Sequence, residues 1–265
     1  MFNLNFTICL IKKGKNYFYQ TYSDDFINSG NQQYQLPKNY RWLHHGKGWF
    51  GLRVLITGIA DVIAWLYFHF ITRSKVIAGE KIKKYQGKGC FVYGNHTQTQ
   101  GDALIAFHLL PHRFVNIIAT PANLGNFIVG RLLPFAGILP IPTNFHQLNK
   151  FTQAVNKQAQ SGHAVFIYPE AHVWPFYTKI RPFSRSAFHY PVDTGLASFC
   201  ITTTYHTRRW SSKPQIVIYV DGPFYPRDGL TKRQQQLDLS RQIAACMKKR
   251  AKLNDMEYIH YEKVK

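Results

Sequence analysis

The sequence predicts an α/β fold: a mostly central mixed sheet flanked by helices, with an N-terminal hydrophobic helical membrane-contact segment. Three observations lead there. Short apolar runs rich in β-branched and aromatic residues, such as 89–93, 114–118 and 164–168, alternate with helical stretches. That alternation is the mark of strands joined by crossover helices. With 265 residues and a hydrophobic fraction of 45%, the chain can bury a full core, which excludes a disordered protein. One region, Trp49–Thr72, is far more apolar than the rest.

Residues 1–48 read as an N-terminal extension. Phe6–Ile11 and Tyr17–Tyr22 are strand-like, and Lys12-Lys13-Gly14-Lys15 suits the turn of a hairpin between them. Residues 49–72 form the membrane-associating helical segment. They are long enough to cross a bilayer, but Arg53, Asp61 and His69 interrupt them. An Asp near the middle of a spanning helix costs roughly 2.5–3.5 kcal/mol. Arg53, Thr57 and Asp61 recur every four residues, so a polar stripe runs along an otherwise apolar helix. That pattern suits a helix lying in the membrane interface; a soluble core helix and a true span are the alternatives.

Residues 73–265 form the α/β domain. Strands are expected at 75–78, 89–93, 114–118, 138–142, 164–168, 199–205 and 215–220. Helices are expected at 102–110, where Pro111 halts the run, and at 122–132, 148–160 and 231–252. The last is amphipathic, with Leu237, Ile243, Ala244 and Met247 suited to its buried face.

The formal charge of +20 calls for an anionic partner. The basic residues are dispersed rather than gathered in one block, which excludes a disordered nucleic-acid-binding tail. The four cysteines are widely spaced and show no metal pattern, so they read as reduced cytosolic thiols. Met1–Leu10 has its lysines after its apolar part, the reverse of a secretory signal, and export is not expected.

The chemistry concentrates in Gly94-Asn95-His96-Thr97-Gln98-Thr99-Gln100-Gly101-Asp102. A histidine leaves a buried strand, and a carboxylate follows at the head of a helix. That pair can work as a general base with an orienting acid. The motif has no Ser or Cys nucleophile, so the hydroxyl to be activated belongs to a substrate. Taken singly, Asp102 is also a favoured helix-capping residue and His96 an ordinary buried histidine. A second block, Tyr168-Pro169-Glu170, ends another apolar run. His108 and His112 have helical metal-pair spacing, but Pro111 intervenes and no third ligand is evident. No Gly-rich phosphate loop and no Gly-x-Ser-x-Gly elbow occurs.

These blocks, with the segments 130–141 and Arg181–His189, make the chain resemble the glycerolipid acyltransferases, the lysophosphatidic acid acyltransferase family. The resemblance spans roughly residues 75–225, with four blocks in family order. This sequence has His-x5-Asp where the family has His-x4-Asp. One extra residue turns a helical Asp by about 100°, although Gly101 gives the loop freedom to compensate.

The resemblance implies an O-acyltransferase in which His96 deprotonates an acceptor hydroxyl and Asp102 supports it. The acyl donor would be a thioester of acyl-carrier protein or coenzyme A. The acceptor would be a lysophospholipid such as 1-acylglycerol-3-phosphate. No cofactor and no metal are implied. Glu170 would help position the acceptor. The two family arginines that hold acceptor phosphate are not retained, so Arg131, Arg181 and Arg185 are the candidate substitutes. The partners expected are the donor, the lysolipid and an anionic membrane surface, with no nucleic acid. The place expected is the cytoplasmic face of the cell membrane, peripheral or monotopic. Two rivals stand beside this reading. One is a hydrolase using the same pair on water, and the other a degenerate site in a membrane- or nucleic-acid-binding protein.

Overall fold

The computed structural model describes residues 14–27, 33–85, 87–126 and 129–264. The chain runs β1 (Lys15–Tyr19), α1 (Lys47–Leu66, continued by a π-helical turn to Ile71), β2 (Lys75–Ile77), α2 (Glu80–Lys83), β3 (Cys90–Gly94) and α3 (Gly101–Leu109). Then follow β4 (Val115–Ala119), α4 (Val129–Leu132), β5 (Ile138–Pro140), α5 (Leu148–Gln160), β6 (Ala164–Ile167) and α6 (His189–Thr194). The chain closes with β7 (Ser198–Arg208), β8 (Ser211–Phe224), α7 (Lys232–Ala251) and β9 (Ile259–Lys263).

Seven strands form one mixed sheet in the order β2-β8-β7-β3-β6-β4-β5. β3, β4, β5, β6 and β7 are mutually parallel, while β8 returns antiparallel to β7 and β2 follows β8. The α/β architecture with a mixed central sheet is therefore as the sequence predicts. β3 is buried at every residue because parallel neighbours flank it and helices cover both faces. The crossover through α3 and the returns through α5 and α6 run in opposite directions along the sheet. Right-handed connections then put α3 on one face and α5 and α6 on the other. α1 packs outside α3, and α7 joins α6.

Two expectations change. The helix expected at 122–132 is broken into a 3-10 turn at Pro121–Gly125 and the short α4. Asn126 is extended and caps α4 by accepting from the Val129 N–H, and Gly130 sits where a Cβ would lie 2.1 Å from the Leu124 carbonyl oxygen. The chain folds back on itself there rather than continuing as a helix. On α7 the buried face is Leu239, Ile243 and Met247, four apart, whereas Leu237 is only partly covered. Thr231 and Gln234 close a reciprocal capping box at its start.

The first arm of the expected N-terminal hairpin, Phe6–Ile11, lies outside the described residues. The expected second arm, Tyr17–Tyr22, overlaps β1 only at Tyr17–Tyr19, and β1 pairs in parallel with β9, the C-terminal strand. Farther along the extension, Trp42 donates its indole N–H to the Pro140 carbonyl at 2.9 Å, and Gln147 reaches the Pro37 carbonyl at 2.8 Å.

α1 is oriented inside out relative to an ordinary surface helix. Its polar stripe faces the protein: Thr57 and Asp61 are buried, Asp61 accepts the His112 backbone N–H at 2.8 Å, and Arg53 reaches Asn116 at 3.3 Å. Leu55, Ile59, Val62, Ile63 and Leu66 face outward, each between 44% and 58% exposed. Lys47–Ile71 is the helix among the described residues that is long and apolar enough to cross a membrane.

Candidate active site

The site forms at the carboxyl end of three adjacent strands, β6, β3 and β7, where open α/β sheets build their sites. β3 ends at Gly94, and the loop that follows is clamped at once. Asn95 pairs with the backbone of Thr203 on β7, donating to its carbonyl at 3.0 Å and accepting its N–H at 2.8 Å. Tyr205, further along β7, donates its hydroxyl to Thr97 Oγ1 at 2.8 Å. The backbone N–H of His96 goes to Glu170 Oε2 at 3.1 Å. Three partners thus fix the main chain on either side of the imidazole.

Asp102 lies in the first turn of α3, and its Oδ2 stands 2.8 Å from His96 Nδ1. The same oxygen accepts the Gln98 backbone N–H at 2.9 Å. The five residues between His96 and Asp102 close through the turn from Gln98 to Asp102, in which the Asp102 N–H returns to the Gln98 carbonyl at 3.3 Å. Gly101 makes this turn feasible, since a Cβ there would lie 2.2 Å from Gln98 Oε1.

Asp102 is 2% exposed. Burial raises its carboxyl above the usual range, against the opposing pull of the His96 N–H and charge and of the Gln98 and Thr97 backbone N–H groups. The His96 side chain keeps 20% of its surface. Among the described residues, Nε2 has no hydrogen-bond partner. With Nδ1 committed to a carboxylate, Nε2 is the nitrogen left to take a proton.

Tyr168 forms the wall of the site, a role that the sequence reading did not give it. Its ring stacks on the His96 imidazole with centroids 4.5 Å apart and planes 20° apart. Its hydroxyl donates to the Asp102 carbonyl at 2.5 Å. Gly94 permits this approach, because a Cβ there would sit 2.6 Å from Tyr168 Cε1. An aromatic at the end of β6, paired with a glycine at the end of the neighbouring strand, was the signal to look for.

Glu170 and Arg181 are where the expectation needs correction. Both were candidates for touching an acceptor. Instead they hold each other, Arg181 Nη2 to Glu170 Oε2 at 3.0 Å and Arg181 N to Glu170 Oε1 at 3.0 Å, with side chains 1% and 0% exposed. The guanidinium also reaches the His172 carbonyl and lies over the Trp174 ring at 4.7 Å. Burial pushes the Glu170 carboxyl up, with the Arg181 charge pulling it back. The pair stands behind the site and supports the His96 backbone. The N-terminal segment covers it: Trp174 donates to the Asp24 carbonyl at 2.8 Å and stacks edge-on with Tyr19 and Phe26.

Arg185 and Arg131 are exposed. Arg185 opens a 3-10 turn whose preceding Ser184 N–H binds the Pro169 carbonyl at 3.0 Å, next to Glu170. Arg185 is thereby tied to the loop after β6, at the sheet edge that carries His96. Arg131 sits on α4, in the connection from β4 to β5.

His108 and His112 do not converge on a common point. His108 stacks on Phe68, and burial lowers it to about 4, while His112 turns toward Asp61 at 3.5 Å. Elsewhere, Cys200, Asp221 and Cys246 gather within 4.8 Å of one another, but Arg250 already grips both Asp221 oxygens at 2.8 Å each.

No protein-family model and no curated protein matches the chain in sequence. Among solved structures, the chain is similar to the crystal structure of the 1-acyl-sn-glycerophosphate (LPA) acyltransferase, PlsC, from Thermotoga maritima. The TM-score is 0.58 at 11% identity, and the match covers 82% of this chain and 87% of that chain. At this identity the likeness is one of fold.

Proposed function

We propose that the protein transfers a fatty acyl group from a thioester of acyl-carrier protein or coenzyme A to a lysophospholipid hydroxyl, with 1-acylglycerol-3-phosphate as the model acceptor. One observation carries the reading: a buried carboxylate 2.8 Å from Nδ1 of an imidazole whose Nε2 is unoccupied by any described residue. The fold likeness to an LPA acyltransferase supports it.

In this mechanism Nε2 of His96 takes the proton from the acceptor hydroxyl while Asp102 holds Nδ1–H and stabilises the imidazolium. The alkoxide oxygen attacks the thioester carbonyl. The tetrahedral intermediate collapses with C–S cleavage, and His96 returns its proton to the departing thiolate. Tyr168 keeps the ring plane fixed, and the Glu170–Arg181 pair positions the loop. Arg185 and Arg131 are assigned to the acceptor phosphate, for which guanidinium forks are suited. The outward apolar face of α1 and the net charge of +20 support attachment to an anionic membrane surface, which this reading takes to be the cytoplasmic one. There it is peripheral or monotopic.

The test supplies purified protein with each thioester and a panel of lysolipids, and quantifies ester and free fatty acid separately. His96→Ala should lower ester formation by about 10²–10⁴-fold. Unchanged ester formation in the variant refutes His96 as the base. Free fatty acid as the dominant product would favour hydrolysis instead. A metal chelator should leave the rate unchanged.

A further inference from the structure

We propose that the tip of the β7–β8 hairpin is a second lipid-contact point, which places Trp210 in the headgroup zone of an anionic bilayer. The inference rests on the membrane reading given above for α1 and adds a distinct surface to it.

β7 pairs with β3 only over Ser198–Ile201, yet it continues to Arg208. The remaining seven residues extend roughly 23 Å past that pairing at ordinary strand rise. β8 accompanies them antiparallel; residues 202–205 stay buried in the body of the protein, and the turn beyond them, at 207–213, stands out at the sheet edge that bears His96. At its tip Trp210 is 87% exposed, the highest value among the exposed large hydrophobic side chains described. The Arg209 guanidinium lies 5.1 Å from its ring centre, and Arg208 and Lys213 flank the turn. At the base of the tip, Asp255 is engaged by His206 at 3.1 Å and by the Thr207 N–H at 2.6 Å.

An exposed indole gains little in water beyond its contact with Arg209. It fits the interface of an anionic bilayer, where its ring and N–H match the boundary between tails and headgroups. Basic groups beside it are drawn to the negative leaflet. The tip is also continuous with α1. Gln215, near the start of β8, donates its side-chain amide to the Arg73 carbonyl. Arg73 follows closely on Phe70 and Ile71, the outward-facing end of the α1 π-helical turn, which are 62% and 68% exposed. A helix alone can roll about its axis on a membrane. A second contact at the carboxyl edge of the sheet prevents that roll and holds the His96 opening toward lipid.

Flotation with vesicles of phosphatidylcholine alone, or containing about 30 mol% phosphatidylglycerol, tests this. The variants are Trp210→Ala and the triple change Arg208→Gln, Arg209→Gln and Lys213→Gln. The triple change should lose affinity for anionic vesicles by about fivefold per cation, or ~100-fold together, with little change on neutral vesicles. Trp210→Ala should weaken binding to both. Thermal melts should stay close to wild type, since Arg209, Trp210 and Lys213 are exposed and Arg208 is half-buried. If wild type floats and both variants float equally well, the tip assignment falls and the α1 reading survives. If wild type floats with neither vesicle, the membrane reading itself falls and takes the tip with it. Tip-dependent binding of duplex DNA without vesicle binding also overturns the proposal.

Discussion

Replacing Asp102 by Asn removes a charge while keeping the shape of the side chain, and the structure sets the size of the effect. The Oδ2–Nδ1 contact is 2.8 Å, which puts the charge centres of a carboxylate–imidazolium pair about 4 Å apart. At an effective dielectric constant near 20 that attraction is about 4 kcal/mol, or about 10³ in rate. A further loss follows if the amide NH₂ faces Nδ1. The imidazole must then carry its proton on Nε2, where it cannot act as base.

The expected fall in kcat for Asp102→Asn is therefore about 10³–10⁴-fold, with the lysolipid KM little changed. Steady-state rates of ester formation measure it. A kcat within tenfold of wild type would refute the assigned role. Stability should move the other way. Burial raises the folded-state pKa of Asp102, so the folded protein binds that proton more tightly than the unfolded chain. Stability contributed by this group is complete below the ordinary Asp value of about 3.9 and is lost as pH rises through the raised folded value. Asn carries no such loss. The variant should melt no lower than wild type at neutral pH, and the difference should close as pH falls toward 4.

Three further perturbations follow from the packing. Arg181→Met leaves the enclosed Glu170 carboxylate unpaired and should cost about 3–5 kcal/mol in urea unfolding; combining it with Glu170→Gln should recover part of that loss, and strict additivity would contradict the pairing. Gly94→Ala drives a methyl toward Tyr168 and should cost about 1–3 kcal/mol, with a larger fractional loss in kcat than in stability; an unchanged kcat would show that the Tyr168 stack does not matter. Leu55→Glu with Val62→Glu places charges at positions 58% and 57% exposed, so the melting temperature should hold while vesicle binding falls by at least about tenfold. A collapse of the fold would instead mean that the outer face of α1 packs against protein.

Much of the fold was legible because the strands that matter are continuous apolar runs. Cys90–Tyr93 and Ala164–Ile167 are buried on both faces, so they carry no polar alternation to confuse the reading. β9 was missed. Ile259-His260-Tyr261-Glu262-Lys263 is half polar, and its partner β1 lies at the other end of the chain, a pairing that no local pattern reveals. The helix expected at 122–132 failed because its apolar count hid a chain reversal at Asn126.

At the site, His96 and Asp102 stood out as residue types, but the closure of the loop between them did not. It depends on Gly101 and Gln98 closing a turn together. Arg181 was misleading for a general reason. A cation in a loop reads as a surface ligand, and only tertiary structure shows that Trp174 and Glu170 enclose it.

The inverted helix α1 carries one more implication. Its hydrophilic grip on Asn116 and His112 would be torn away if the segment stood upright through a bilayer. The same grip leaves its greasy side unfinished in water. On the proposed reading, lipid completes the outermost layer of the molecule. Detergent or vesicles should therefore act as a stabilising ligand, raising resistance to unfolding in proportion to the logarithm of their excess over half-saturation.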